Sequence, residues 1–143
     1  MPSWKIHNKW AKRMYLDEAI FNVVNKLIDF PKDGGHDEGR RSISKLVNEG
    51  YKVYEKYGQS GFKVYVLHHL LDEIYEILRR EMTRRGRDIG IYLAIELARV
   101  KVTGWLGNSY IYRGLSFGEI CDEVFTFIKD NAVEIYYDLV SEM

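Results

Sequence analysis

The four histidines of the chain are the side chains best suited to chemistry. They are His7, His36 next to Asp37, and the adjacent pair His68 and His69. A neutral imidazole nitrogen is a good ligand for zinc, iron, manganese or nickel, and a carboxylate beside it suits the harder of these ions. Mixed sets of histidine and aspartate are typical of hydrolytic metal centres. The residue types therefore indicate a divalent metal site.

The segment around His36 gives this indication a more specific form. It reads His-Asp-Glu-Gly-Arg from His36 to Arg40, after a loop that contains Pro31 and two glycines. This segment resembles the His-Asp-x-Gly-Lys/Arg signature of the HD superfamily of metal-dependent phosphohydrolases. Members of that family have another histidine ligand on an earlier helix, and His7 resembles it. The resemblance covers residues 7–72. It includes His68 and His69, which are similar to downstream histidines found in several branches of the family.

The resemblance implies a fold, a cofactor and a reaction. The fold is helical, the cofactor is a divalent metal such as Mn, Ni, Fe, Zn or Mg, and the reaction is hydrolysis of a phosphoester in a nucleotide or nucleic acid. Asp37 would help to orient the attacking water, and Arg40 would neutralise charge on the phosphoryl oxygens. The implied residues are His7, His36, Asp37 and a later carboxylate as metal ligands, with His68 and His69 at a second metal or at the substrate phosphate.

The carboxylate that completes this metal shell has several candidates, because the chain lacks the Ala-Asp-x-Leu-like segment that usually supplies it. Asp72 lies one helical turn after His68 and shares its face, whereas His69 lies about 100° away, towards the polar side. Glu96 lies in an apolar segment, where an ionised carboxylate needs a cation or an arginine. Asp72 and Glu96 are the preferred candidates. Asp88 and Asp122 are the other two.

Each of these residues also has an ordinary structural interpretation. Asp37 can cap a helix, His7 can be a half-buried helix histidine, and Glu96 can form an ion pair with Arg99. Asp88 can likewise cap the helix that follows it. These readings support an alternative function, in which the chain is a non-catalytic HD-like helical protein that binds a protein partner or nucleic acid.

The hydrophobic periodicity predicts an all-α fold of about six helices in one domain that spans residues 1–143. Asp17 is expected to cap the second helix. A break is expected near Gly58 and Gly61, and the fifth helix is apolar nearly all round, which predicts a central position. Residues 105–114 are predicted to form a loop or a small hairpin. The predicted helices are 4–14, one between 17 and 30, 38–57, 62–83, 89–102 and 116–139.

The charges are distributed unevenly along a chain with no net charge. Of its 143 residues, 1–113 hold 20 basic and 14 acidic side chains, whereas 114–143 hold one basic and seven acidic side chains. Five arginines lie within nine residues, and with Lys9, Lys12 and Arg13 they could hold phosphates, which favours a phosphate-containing small molecule or nucleic acid as partner. A homodimer is also among the expected assemblies. The five arginines are Arg79, Arg80, Arg84, Arg85 and Arg87.

The composition excludes several other classes of protein. The 46% hydrophobic content argues against disorder. The longest apolar stretch, at 89–95, is far below the roughly 18 residues that suggest a membrane span. The N-terminal residues show no apolar signal segment, and the single Cys121 cannot form an internal disulfide. We therefore expect a soluble cytoplasmic protein with no membrane partner.

Overall fold

The computed structural model describes residues 2–29, 43–106 and 117–143, and these ranges contain six helices and no strand. This architecture confirms the predicted all-α fold. The helices are α1 (Trp4–Arg13), α2 (Glu18–Asp29), α3 (Ile43–Arg85), α4 (Ile91–Leu106), α5 (Phe117–Asp130) and α6 (Ala132–Val140).

Helix α3 is the central element, because α1, α2, α4 and α5 all pack against it. Its 43 residues are bent at Gly58, where φ is 70° and ψ is −158°. This region of backbone space is accessible essentially only to glycine. Gly61 allows a second close approach, since a Cβ there would lie 2.4 Å from Cβ of Tyr57. The predicted break near Gly58 and Gly61 is thus a kink within one helix.

One hydrophobic core joins all six helices. It contains buried apolar side chains from each of them, including Trp10, Val24, Leu71, Ala98, Ile128 and Leu139, all of which are fully buried. Burying an aliphatic side chain of the size of Leu or Ile contributes about 1.5–3 kcal/mol. The described residues therefore form a single compact domain.

Helix α4 differs from its predicted central position. One side of it is buried on α3 and α5 through Ala94, Ala98 and other core residues. The opposite side is open, with Leu97 47% and Val100 63% exposed. Because α4 is apolar nearly all round, its sequence predicted that it would be fully buried. The long helix α3 occupies the centre of the domain instead. Residues 105 and 106 belong to α4, and the rest of the predicted loop or hairpin lies outside the described residues.

The predicted last helix is two helices. Asn131 separates α5 from α6, and its side-chain Nδ2 donates a hydrogen bond of 2.8 Å to the carbonyl of Phe127. Its backbone N–H also bonds to carbonyls of the last turn of α5. A side chain that bonds to the backbone in this way competes with continuation of the helix. The apolar spacing continues across Asn131, which is why periodicity alone predicted one helix.

The acidic end of the chain packs against α1. Lys9 Nζ lies 2.7 Å from Asp138 Oδ2, and Arg13 Nη2 lies 3.1 Å from Glu134 Oε2. The buried Trp10 also donates a hydrogen bond of 2.9 Å from Nε1 to Asp138. Two of the basic residues expected to hold phosphates, Lys9 and Arg13, are therefore engaged by the protein's own carboxylates.

The described helices offer no candidate for a transmembrane span, because none combines sufficient length with a sufficiently apolar sequence.

Candidate metal centre

Polar side chains from three helices meet on the buried side of α3. His7 lies on the face of α1 that also buries Ile6 and Trp10, so helical spacing carries its imidazole into the interior. His68 and Asp72 are one turn apart on α3, and His68 is 1% exposed. Asp29 reaches the same place from the last turn of α2. Helix periodicity therefore turns each of these four polar side chains to the buried face of its helix, and the packing of the three helices brings them to one site.

The two imidazoles and the carboxylates form a close cluster. The rings of His7 and His68 stack with their centroids 3.9 Å apart and their planes within 2°. Asp72 contacts both rings, with Oδ1 3.0 Å from Nε2 of His7 and Oδ2 3.2 Å from Nε2 of His68. Oδ1 of Asp29 lies 3.2 Å from the same nitrogen of His68. His7, His68 and Asp72 each offer one ligand atom, and these atoms all lie within 4.8 Å of one another.

The buried ligand atoms of this cluster face one another. Nε2 of His7 contacts Oδ1 of Asp72, and Nε2 of His68 contacts Oδ1 of Asp29 and Oδ2 of Asp72, all at 3.0–3.2 Å. Nδ1 of His7 is buried and has no hydrogen-bond partner among the described residues. Two atoms bound at about 2.1 Å to one first-row ion lie about 3.0–3.4 Å apart. The short contacts in this cluster have that separation, which is also that of hydrogen-bonded ion pairs, and His7, His68 and Asp72 are a group that could hold a divalent metal ion.

The charges of the cluster depend on one another. Burial alone would lower the pKa of His68, but the negative charges of Asp72 and Asp29 outweigh it and raise that pKa to about 9. Burial and the positive charge of His68 lower the pKa of His7. Burial opposes ionisation of Asp72, yet the charge of His68 and contacts with both imidazoles hold its pKa well below the usual range. Without a metal, the cluster thus carries one positive charge, on the imidazolium of His68, and two negative charges, on the carboxylates of Asp29 and Asp72.

Asp29 and Asn25 are the site residues that sequence reasoning missed. Both lie on the buried face of α2, four residues apart, beside Phe21, Val24 and Ile28. Oδ2 of Asp29 accepts a hydrogen bond from Nε1 of Trp4, which leaves Oδ1 directed towards His68. Burial opposes ionisation of Asp29, but His68 and the bond from Trp4 together lower its pKa. The available signal was a pair of polar residues at helical spacing on an otherwise apolar face.

The structure brings together three of the residues expected from the sequence. His7, His68 and Asp72 converge. Helical spacing predicted that Asp72 lies beside His68, and the expectation of His7 came from the resemblance to the HD family. The expected metal ligands His36 and Asp37, and the expected catalytic residue Arg40, lie outside the described residues.

His69 and Glu96 do not belong to this cluster. His69 is 8% exposed, so the expectation that it points towards the polar side is wrong, and its ring meets the ring of Tyr65 edge-on at 4.6 Å. Glu96 Oε2 lies 3.3 Å from Nε of Arg99, and the side chain of Glu96 is 47% exposed. This position corrects the prediction that Glu96 is a metal ligand, because the side chain of Glu96 lies away from the buried side of α4. The ion-pair interpretation of Glu96 is the one that the structure supports.

The two remaining carboxylate candidates are also elsewhere. Asp88 accepts a hydrogen bond of 2.8 Å from the backbone N–H of Gly90 and another from the hydroxyl of Tyr136. Asp122 is exposed on α5. Asp72 is therefore the candidate carboxylate that lies beside the histidines.

The arginine run at the end of α3 is partly neutralised. Arg79 pairs with Glu76 at 2.9 Å, and Arg87 pairs with Glu81 at 2.8 Å. Arg85 lies 3.8 Å from the same Glu81. Arg80 and Arg84 are exposed and have no ion pair within the described ranges. Ion pairs within the protein thus account for three of the five arginines, Arg79, Arg85 and Arg87.

Comparisons with protein-family models, with curated proteins and with solved structures give no match to the chain. The assignment of this site therefore depends on its own residues and geometry.

Proposed function

We propose that the chain is a metal-dependent phosphohydrolase whose metal ion is bound by His7, His68 and Asp72. The observation that supports this proposal most strongly is the convergence of ligand atoms of His7, His68 and Asp72, all within 4.8 Å of one another, with both histidines buried. Asp29 borders this group, since its Oδ1 is 3.2 Å from Nε2 of His68. Two imidazoles and a carboxylate form a mixed donor set of the kind that suits zinc, iron, manganese or nickel.

The chain's own residues have distinct tasks at this site. One oxygen of Asp72 faces the ring of His7, and the other faces the ring of His68. The hydrogen bond from Trp4 holds the second carboxylate, Asp29, in a fixed orientation. Stacking keeps the rings of His7 and His68 parallel, so that both Nε2 atoms face the same carboxylate. A bound divalent ion would supply Lewis-acid chemistry, which acidifies water and neutralises charge on a phosphoryl group.

The exposure of the ligands indicates where a substrate approaches. The side chains of His7 and His68 are 0% exposed, whereas the side chain of Asp72 is 24% exposed. Asp72 is therefore the most exposed of the three proposed ligands. A phosphoester substrate would approach past its side chain, away from the buried imidazoles.

A phosphoester is the proposed substrate class for two reasons. The first is the resemblance of the segment from His36 to Arg40 to the HD signature. The second is the position of Arg80 and Arg84, which lie eight and twelve residues after Asp72 on the same helix. At 1.5 Å per residue these positions are about 12 and 18 Å along the helix axis from Asp72. Exposed guanidinium groups at this distance suit an extended, phosphate-rich substrate such as a nucleic acid.

The test is hydrolysis of bis(p-nitrophenyl) phosphate and of single-stranded oligonucleotides in the presence of Mn²⁺, Ni²⁺ or Zn²⁺. We expect metal-dependent activity in the wild type that falls to background in His7→Gln. Glu96→Gln is the matched control, because Glu96 lies outside the cluster, and it should retain the wild-type rate. A third variant, His36→Ala combined with Asp37→Ala, should lose activity if the HD resemblance extends to those residues.

Each outcome of this experiment discriminates between the functions under consideration. Metal binding without hydrolysis of any phosphoester would favour the non-catalytic helical protein. Activity that survives His7→Gln would show that the cluster is not the catalytic centre. Activity that persists in a chelator would contradict the proposal entirely.

A further inference from the structure

Asn25 makes a hydrogen bond that decides which nitrogen of His68 faces the cluster. Nδ1 of His68 lies 2.9 Å from Oδ1 of Asn25, on the opposite side of the ring from the carboxylates. Asn25 is 3% exposed, so water does not compete for this contact. A carbonyl oxygen can only accept, so an Asn25 oxygen in this position requires a proton on Nδ1 of His68.

The Asn25 amide continues into a chain of hydrogen bonds with two further asparagines. Nδ2 of Asn25 donates a hydrogen bond of 3.0 Å to Oδ1 of Asn8. Nδ2 of Asn8 donates in turn to Oδ1 of Asn22 at 3.3 Å. In this arrangement each amide nitrogen donates to the next amide oxygen, so the chain of bonds leads from the buried ring of His68 to the exposed Asn22. Reversal of the Asn25 amide alone would place its NH₂ group against Nδ1 and its oxygen against the oxygen of Asn8.

We propose that Asn25 is a positioning residue that keeps the proton of His68 on Nδ1 and thereby presents Nε2 to the metal ion. This inference rests on the metal centre proposed above. The partner of the second ring nitrogen generally selects the tautomer of a ligating histidine, and its loss typically weakens metal binding by about 10–100-fold. No other polar partner of Nδ1 of His68 is present among the described residues.

The first test is NMR of protein labelled with ¹⁵N-histidine, without metal and with one equivalent of Zn²⁺, with the four histidines assigned by single substitution. We expect a protected proton on Nδ1 of His68 in both samples and a zinc-dependent change at its Nε2. Loss of the Nδ1 proton when zinc binds, or an unprotonated Nδ1 without zinc, would overturn the role of Asn25 even if zinc binds. A protonated Nδ1 with no zinc-dependent change at any histidine would overturn the metal centre, and the role of Asn25 with it.

The second test separates positioning from a purely structural role. Asn25→Ala removes the acceptor, and we expect zinc affinity to fall by about 10–100-fold together with the protected Nδ1 proton. Asn25→Asp keeps an oxygen acceptor, and Asn8 can turn its amide to donate to it, so we expect affinity and the Nδ1 proton to be restored. Asn22→Ala, at the exposed end of the chain of bonds, is the control and should bind zinc like the wild type.

Calorimetric titration of folded, metal-free variants with Zn²⁺ measures these affinities. If Asn25→Asp binds zinc as weakly as Asn25→Ala, Asn25 serves the fold and the positioning role is wrong. Zinc affinity unchanged in Asn25→Ala would contradict it equally.

Discussion

At the scale of single residues, the two stacked histidines His7 and His68 differ in pKa although they share one environment. Their rings are stacked 3.9 Å apart, so both cannot carry a positive charge at low cost. His68 contacts both Asp29 and Asp72, and its pKa is raised to about 9. His7 contacts Asp72 only, and burial lowers its pKa. In the metal-free cluster, protonated His68 therefore supplies the positive charge that a metal cation would otherwise supply.

This arrangement predicts a pH dependence of metal binding. Because His68 is protonated below about pH 9, a metal ion must displace that proton, and the observed affinity should fall about tenfold for each unit of pH below that value. Competition between the protein and a fluorescent zinc chelator at pH 8, 7 and 6 measures the effect. His69→Gln should give the same slope, since His69 does not belong to the cluster. An affinity that stays constant over this range, or that increases towards pH 6, would contradict the assignment of His68 as a ligand.

A second residue-scale prediction concerns the single thiol. Burial, with the nearby charge of Asp122, raises the pKa of Cys121 to about 12. The reactive thiolate is therefore nearly absent at neutral pH, and the sulfur is also shielded from reagents. We expect Ellman's reagent to modify Cys121 only at the rate at which the protein unfolds, and to react at once in 6 M guanidinium chloride. Rapid modification of the folded protein would show that the α5 side of the core is open.

At the scale of elements, α3 carries the organisation of the domain. Its 43 residues provide His68 and Asp72 and the surface on which α1, α2, α4 and α5 pack. The kink at Gly58 changes the direction of the helix ten residues before His68. The site itself is thus built on a regular helical segment, and the irregular backbone lies outside it.

The kink predicts an asymmetric response of two glycines to alanine. Gly58→Ala forces a side chain into a backbone region that only glycine adopts readily, and we expect the free energy of unfolding to fall by about 1–3 kcal/mol. Gly104→Ala in α4 meets no atom within 4 Å and should raise stability by about 0.5–1 kcal/mol, because alanine favours a helix. Urea denaturation followed by circular dichroism measures both values. Equal effects of the two substitutions would show that α3 is not bent at Gly58.

The sequence predicted the helices better than it predicted their arrangement. Periodicity located α1 and α2 closely, and Asp17 caps α2 as expected, with Oδ1 accepting from the N–H of Ile20 at 3.2 Å. The central position of α3 was not predictable in this way, because an apolar helix such as α4 shows only that it can be buried. Long-range packing decides which of two apolar helices takes the centre.

The site was predictable to the extent that it depends on local spacing. His68 and Asp72 share one face of α3, and helical geometry alone places them together. The approach of Asp29 depends on how α2 packs on α3, which the spacing within α2 does not determine. The same reason explains Asn25, whose role becomes evident only when His68 lies opposite it.

At the scale of the whole molecule, the two ends of the chain are joined by charge. The acidic α6 packs against the basic α1, and Asp138 accepts hydrogen bonds from Nζ of Lys9 and Nε1 of Trp10. The zero net charge therefore reflects ion pairs within one domain, and it does not argue against a phosphate-containing substrate. The exposed Arg80 and Arg84 remain available at the other end of α3.

This contact predicts a loss of stability when Asp138 is removed. Asp138→Ala leaves the buried indole N–H of Trp10 without its acceptor, and we expect the free energy of unfolding to fall by about 1–3 kcal/mol. Asp130→Ala, at an exposed position at the end of α5, should change it by less than about 0.5 kcal/mol. Thermal unfolding of both variants provides the comparison. Unchanged stability of Asp138→Ala would show that the contacts of Asp138 with Lys9 and Trp10 do not hold α1 in place.

The central claim is that His7, His68 and Asp72 bind one divalent metal ion, and metal retention tests it most directly. Wild type, His68→Gln, Asp72→Asn and His69→Gln are each loaded with Zn²⁺, passed through a desalting column and assayed for zinc by elemental analysis. His69→Gln is the matched control, because His69 is the adjacent buried histidine on the same helix. We predict about one equivalent of zinc in the wild type and in His69→Gln, and a large loss in the other two variants. No retained zinc in the wild type, or equal retention in all four proteins, would contradict the claim.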